Sequence, residues 1–396
     1  MNTRALLPLV PFAVFLFILP FPGTVALRLA CLAGAFAVAA LSWRKLLPAP
    51  IPVKPALLLW IVVSVGSLAY AVDSSYSLGE IKNEIGYAMM AFVAFFAITR
   101  EAWILRLWSR IVVATAAGIG LWALAFHFGT GYWDHGGSHT GVGAYASLAA
   151  IAPAMLLLTC AAPGRWRVAG IAAALVILLA AIVSEQRIVW VAFGLQFVAA
   201  MWLLRKAGLL AISRYGALAL IAAGLVITGA AVLGVHALKV RNSTPEIQVL
   251  SGDFRLQHWQ RVLATIQEHP LTGAGFGRES MKRAYPDLVP KTEPQSLLWH
   301  PHNVLLTYGI GMGWPGVLAL LGVFLSFSWE FRRHIARPGL DCRLAAIAGI
   351  MLVIGVVTRN MTNDFFLRDG ALMFWALSGA LMGFLSRRDA GTTGPA

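Results

Sequence analysis

The chain reads as long apolar runs separated by short polar breaks, with one long polar interruption. Runs long enough to cross a bilayer fall at 5–21, 24–42, 55–72, 85–99, 106–128, 141–161, 166–184, 187–204, 212–236, 302–329, 343–358 and 366–386. The pattern predicts an all-α polytopic membrane protein of about twelve transmembrane helices, with 1–396 as a single transmembrane domain. The interruption, 239–301, is predicted to be a helical loop inserted between the ninth and tenth spans. It closes on His300-Pro301-His302-Asn303 as the tenth run begins.

Within the insert, Ser251-Gly252-Asp253 has the composition of a helix start, with Asp253 or Ser251 as the cap. Trp259, Val262, Leu263 and Ile266 continue at helical spacing. That helix should stop near His269-Pro270, because proline disfavours helical conformation in the residue before it. Gly273-Ala274-Gly275-Phe276-Gly277 then predicts a tight turn, and a second short helix is expected over 278–285. The glycine run follows no predicted strand and sits in no βαβ unit, so a dinucleotide fingerprint is rejected; what stays open is whether its amides touch a diphosphate. Gly309, Gly311, Gly313 and Pro315 predict a break in the tenth run just beyond His302.

Composition sharpens the class. With 59% of residues hydrophobic and 12% charged, no water-soluble globular protein fits. The net charge of +14 would suit a nucleic-acid partner, but its placement has another cause. The excess sits in alternate short loops: Arg44, Lys45 and Lys54; Arg100, Arg106 and Arg110; Arg165 and Arg167; Arg205, Lys206 and Arg214; Arg332, Arg333, Arg337 and Arg343; Arg387 and Arg388. By the positive-inside rule these loops are cytoplasmic, as are both termini, and the insert faces the opposite, periplasmic side. No nucleic acid is expected. Cys31, Cys160 and Cys342 lie in or beside apolar runs with no paired spacing, so neither a disulfide framework nor a thiolate metal site is expected.

The outward segments hold the candidate chemistry. Arg255 shares a helix face with Trp259, Val262 and Ile266, in a first turn where free N–H groups favour anions. It is either a phosphate ligand or an interfacial arginine paired with lipid headgroups. Arg187 stands at a membrane boundary where an unpaired guanidinium costs roughly 2–3 kcal/mol, so it either pairs with Glu185 or binds an anion in a wet cavity. His302 can stay neutral near pH 7 and take a proton from an attacking hydroxyl. Trp259, His300, Asn303, Arg359, Asp364 and Arg368 are further candidates to contact a diphosphate or an acceptor. His300 and His302 with Asp364 make a weak metal pattern, so no metal is assigned.

These residues resemble a known family. Phe254-Arg255 through Trp259, followed by His269-Pro270-Leu271-x-Gly273-x-Gly275-x-Gly277, is similar to the motif before the catalytic loop of the O-antigen ligase and polymerase superfamily. His302-Asn303 with Leu306 and Gly313 resembles that family's His-Asn signature, and the layout of spans around one large outward loop is similar too. The resemblance implies a fold like the GT-C membrane glycosyltransferases and transfer of a glycan from undecaprenyl diphosphate, without metal or other cofactor, at the outer face of the inner membrane. It maps His302 to the catalytic histidine, Arg255 to the arginine of the large loop and Arg187 to the arginine between the seventh and eighth helices.

The chemistry agrees with that mapping. A departing diphosphate gains charge that two guanidiniums can hold. The first outward loop, Phe21 to Thr24, has no carboxylate to act as base, which leaves the role to His302. The expected reaction is a single displacement with inversion, from undecaprenyl-diphosphate-linked O-antigen to lipid A–core. Rivals are an O-antigen polymerase or a protein O-oligosaccharyltransferase with the same donor, and, from another class, a lipid-glycan flippase. A flippase would carry charges deep within its spans or breaks repeated in both halves, and neither is seen. Modest size and the lack of a soluble C-terminal domain favour the ligase.

Overall fold

The computed structural model describes residues 6–21, 23–43, 50–130, 142–241, 253–291, 298–362, 364, 366 and 368–390, and among these there are helices and no strand. In chain order the helices are α1 (Val10–Ile18), α2 (Val25–Leu41), α3 (Lys54–Gly66) and α4 (Ser74–Ile98), the last with a π turn at Ile81–Gly86. They continue as α5 (Ala102–Thr130), α6 (Val142–Cys160), α7 (Arg165–Val183), α8 (Arg187–Lys206) and α9 (Arg214–Arg241). The insert supplies α10 (Asp253–Glu268) and α11 (Ser280–Ala284), and α12 (Val304–His334), α13 (Leu340–Asn360) and α14 (Arg368–Ala390) complete the chain. Seven of these, α4, α5, α7, α8, α9, α12 and α13, are long and apolar enough to cross a membrane. Shorter apolar helices, α1, α2, α3, α6 and α14, occupy the other expected runs.

The insert follows its sequence signals. α10 stops at Glu268, just before His269-Pro270, and α11 falls inside the expected second helix. Of the two candidate caps, Ser251 lies outside the described residues and Asp253 is the first residue of α10.

Helix contacts are made by small and aromatic side chains. α14 lies against α4, where Gly379 and Gly383 let the carbonyls of Phe92 and Phe96 come so close that a methyl group would collide with them. Around this contact Trp60 stacks on Trp375, and Phe327 stacks on Phe374, all buried. α12 runs beside α3 and α13, with Phe324 and Phe327 turned into the same core.

The two ends of the bundle differ in chemistry. At one end basic residues from separate helices interlock: Arg106 of α5 meets Asp341 of α13 at 2.7 Å, and Arg343 Nη1 donates to the carbonyl of Ala207 at 2.8 Å. Arg110 lies over the ring of Trp166 at 4.0 Å. The opposite end carries the insert, the start of α8 and the start of α12.

Candidate active site

A backbone seam fixes the insert to α12. The helix bends at Gly313, whose φ of 64° lies in the left-handed region that favours glycine. Pro315 has no N–H for the carbonyl of Gly311, and the N–H of Trp314 turns away to the carbonyl of Pro270 at 2.9 Å. The carbonyls of Ile310 and Gly311 instead accept from Ala274 and Gly275, at 3.0 and 2.8 Å. Gly273 is needed because any Cβ there would strike the backbone of Gly311. So the Gly-x-Gly-x-Gly run is a segment seated on the kink, not a free-standing tight turn. Its amides at 274 and 275 are occupied by α12, so they do not face a diphosphate.

The same kinked helix receives α10. Val262 and Ile266 pack with Met281 and Ile310 in a small buried cluster, the apolar stripe that helical spacing predicts. This contact carries Arg255 and Trp259 over the start of α12. Trp259 Nε1 donates to the carbonyl of Pro301 at 2.6 Å, and Arg255 Nη1 donates to the carbonyl of Thr362 at 2.7 Å. Asn303 caps α12: its Oδ1 accepts from the N–H groups of Leu305 and Leu306 at 2.9 and 3.2 Å. Its Nδ2 donates to the carbonyl of Met361 at 3.0 Å.

Between these two fixed neighbours His302 adopts φ 53°, a left-handed conformation that costs a residue with a Cβ about 1 kcal/mol or more. The surroundings must hold it there. The His302 N–H donates to Nδ1 of His300 at 3.1 Å, and the two rings lie against each other, tilted by 35°, with centroids 3.7 Å apart. His300 is only 1% exposed, and its Nε2 contacts the guanidinium of Arg278, which also covers the ring of Trp299. Burial, then the neighbouring His302 and Arg278, push His300 well below the ordinary imidazole range, so it is neutral. His258, buried beneath, is pushed down to about 4, chiefly by burial and then by Arg261.

Cations crowd the same end. Arg255 is lowered to about 10 by burial and by Arg187, yet stays charged at neutral pH. Arg187, at the start of α8, has its Nη1 at 3.2 Å from Nδ1 of His236. Arg359, on the last turn of α13, is 1% exposed and within electrostatic reach of Arg255. Asp364 is buried beside Thr307 and Phe366, with Arg278 in reach, and burial raises its carboxyl above the usual range. Arg368 opens α14, but its side chain lies outside the described residues. Among the described residues no three His, Cys, Asp or Glu side chains gather as a metal cluster.

Guanidiniums gathered around a neutral, buried His300 and a left-handed His302 are suited to an anion and to removal of a proton beside it. The family model described as O-Antigen ligase matches residues 171–321. That stretch runs from α7 into α12, and so holds Arg187, Arg255, the glycine seam and His302. No curated protein sequence matches the chain.

Within the matched region, two residues escaped the sequence reading. His258 had a signal, since it stands three positions from Arg255 and four from Val262 on the same helix face. Arg278 had none beyond following Gly277; only the seam, which folds the loop back on α12, brings it to His300. Arg359 and Asp364 come to the same end of the bundle from outside the matched region.

Proposed function

We propose that the chain is a glycosyltransferase of the inner membrane that moves O-antigen glycan from undecaprenyl diphosphate to a sugar hydroxyl of lipid A–core. Its site faces the periplasm, both termini are cytoplasmic, and the bundle is of the GT-C type. The acceptor hydroxyl loses its proton to His302 and attacks the anomeric carbon. The glycosidic C–O bond to the diphosphate breaks, and Arg187 and Arg255 hold the charge that develops on the departing oxygen. The carbon inverts, and the proton leaves His302 to water.

The observation that carries this reading is the left-handed His302, held beside Arg255 by its neighbours Trp259 and Asn303. A histidine held at a backbone cost within a cationic pocket is what a general base next to a diphosphate requires. The arginines take the charge-neutralising part that a divalent ion plays in other glycosyltransferases, so the reaction runs without metal.

The test is reconstitution in proteoliposomes with undecaprenyl-diphosphate-linked O-antigen and lipid A–core, with and without EDTA. Transfer to lipid A–core that persists in EDTA, with inverted configuration, is the expected result. Retained configuration, or loss of activity in EDTA, overturns the mechanism. Transfer only to a second lipid-linked glycan, or only to protein, would make the chain a polymerase or an O-oligosaccharyltransferase.

A further inference from the structure

We propose that His300 is the positioning residue of this site: its Nδ1, by accepting the N–H of His302, holds the left-handed backbone that aims the base. The inference rests on the role proposed for His302. The geometry beneath it is local and specific. A residue with φ 53° has its N–H turned away from any helical partner, and here that N–H ends on His300 Nδ1 at 3.1 Å. The rings are in contact at 3.7 Å, so the same side chain also backs the imidazole of His302. Asn303 and Trp259 fix the residues on either side, but neither touches the His302 N–H.

This role demands that His300 keep a lone pair. A neutral imidazole has one, and a doubly protonated ring has none. The groups that face His300 are His302, Arg278, His258 and Arg255, all cationic or able to become so, and each makes a second proton on the ring costly. Arg278 contacts the far nitrogen, Nε2, and competes for the single lone pair with the His302 N–H. When an anion draws the guanidinium toward itself, the lone pair is left to Nδ1, and the backbone bond to His302 is favoured. A positioning residue of this kind acts on the rate of the chemical step and little on binding, because the His300 side chain, 1% exposed, is covered by its neighbours and is not the substrate contact its sequence position suggested.

Asparagine and glutamine separate the two ring nitrogens. An Asn side chain can set its oxygen where Nδ1 lies, whereas Gln reaches the place of Nε2. Proteoliposomes bearing wild type, His300→Ala, His300→Asn and His300→Gln would be compared in transfer at saturating donor. His300→Ala should lower kcat by about 10²-fold with KM for the donor within about threefold. His300→Asn should recover most of that loss, and His300→Gln should not. If Asn is no better than Gln, or if Ala keeps the wild-type kcat, the inference is overturned; the Asn–Gln contrast decides even where the Ala variant does not fold. Nitrogen NMR of histidine-labelled protein, with the His300→Asn variant assigning the resonance, reads the ring independently of any transfer. A neutral ring with unprotonated Nδ1 at about pH 6 supports the inference, and a ring doubly protonated or protonated at Nδ1 there overturns it. Should the wild type move no glycan while this spectrum holds, the proposed function fails and the positioning geometry stands.

Discussion

α12 lies between two buried histidines, His300 just before it and His334 at its end, and their surroundings are electrostatic opposites. At its C-terminal end His334, 1% exposed, has Nε2 at 3.1 Å from Glu330 Oε1, and Arg333 reaches the other carboxylate oxygen at 3.1 Å. At the N-terminal end His300 is equally buried, but its neighbours are Arg278, His258, Arg255 and His302. A carboxylate ties the first histidine, together with Arg333, into a closed hydrogen-bonded network at the helix end. Surrounded by cations, the second must stay neutral, and the field there favours an incoming anion. Burial alone therefore does not mark a functional histidine; the sign of the charges around it does.

The comparison breaks most sharply at His302. His302→Ala should reduce glycan transfer by about 10²–10⁴-fold, the range for a positioned general base, while the melting temperature changes little because the side chain is half-buried. Transfer near the wild-type rate in the reconstituted assay would remove His302 as the base. Next comes Arg255→Gln, expected to lower kcat by about 10²–10³-fold, as loss of one donor to a developing oxyanion does. Arg255→Lys should recover little of it. A single ammonium cannot keep the 2.7 Å bond to the carbonyl of Thr362 and face the diphosphate at once. Equal activity of the Lys and wild-type proteins would reduce Arg255 to a point charge.

The seam sets the scale of the third effect. Gly313→Ala puts a Cβ at φ 64°, 2.7 Å from the carbonyl of Pro270, and should destabilise the folded protein by about 1–3 kcal/mol. The loss is read as a lower midpoint of thermal inactivation in detergent. An unchanged midpoint would mean that the bend in α12 is not fixed by the carbonyls it releases.

Acidity should tell the two ends apart more gently. His258 falls to about 4 and His300 lies well below 6.5 in the folded protein, while both have a pKa of about 6.5 in the unfolded chain. Between those limits the unfolded state binds more protons, so stability is present above about pH 6.5 and is lost as the pH falls toward 4. The melting temperature should drop between pH 7 and pH 5, and His258→Gln should flatten that slope. A slope that His258→Gln leaves as steep as before would place the titration elsewhere.

What was legible in the sequence was whatever depends on local spacing. The Val262–Ile266 stripe was visible as helical periodicity, and its burial against Ile310 follows from it. The break at Gly313 was visible because glycine and proline act on the backbone within a turn of their own position. His302, Arg255 and Arg187 were chosen by resemblance, and the structure brings them to one end of the bundle. Arg278 was hidden because its place depends on two carbonyls of α12 that are free only once the helix bends. The role of the glycine run was misjudged for the same reason. A loop amide's partner is a tertiary fact, and no composition of the loop itself reveals it.

Smallest of all should be the response at the far end of α12. Glu330→Gln removes the charge that Arg333 and His334 share, yet the amide oxygen can still accept one of their bonds. Arg333 is more than half exposed, so water takes over much of its solvation and the loss is a modest fall in melting temperature. Transfer should stay within about twofold of wild type, since the network's hydrogen bonds reach no residue of the site. The informative case is a variant that melts almost normally but transfers poorly. It would mean that the C-terminal half of α12 is coupled through the Gly313 kink to the angle of its first turn, and the contrast between the two ends would then be one of linked parts, not of separate ones.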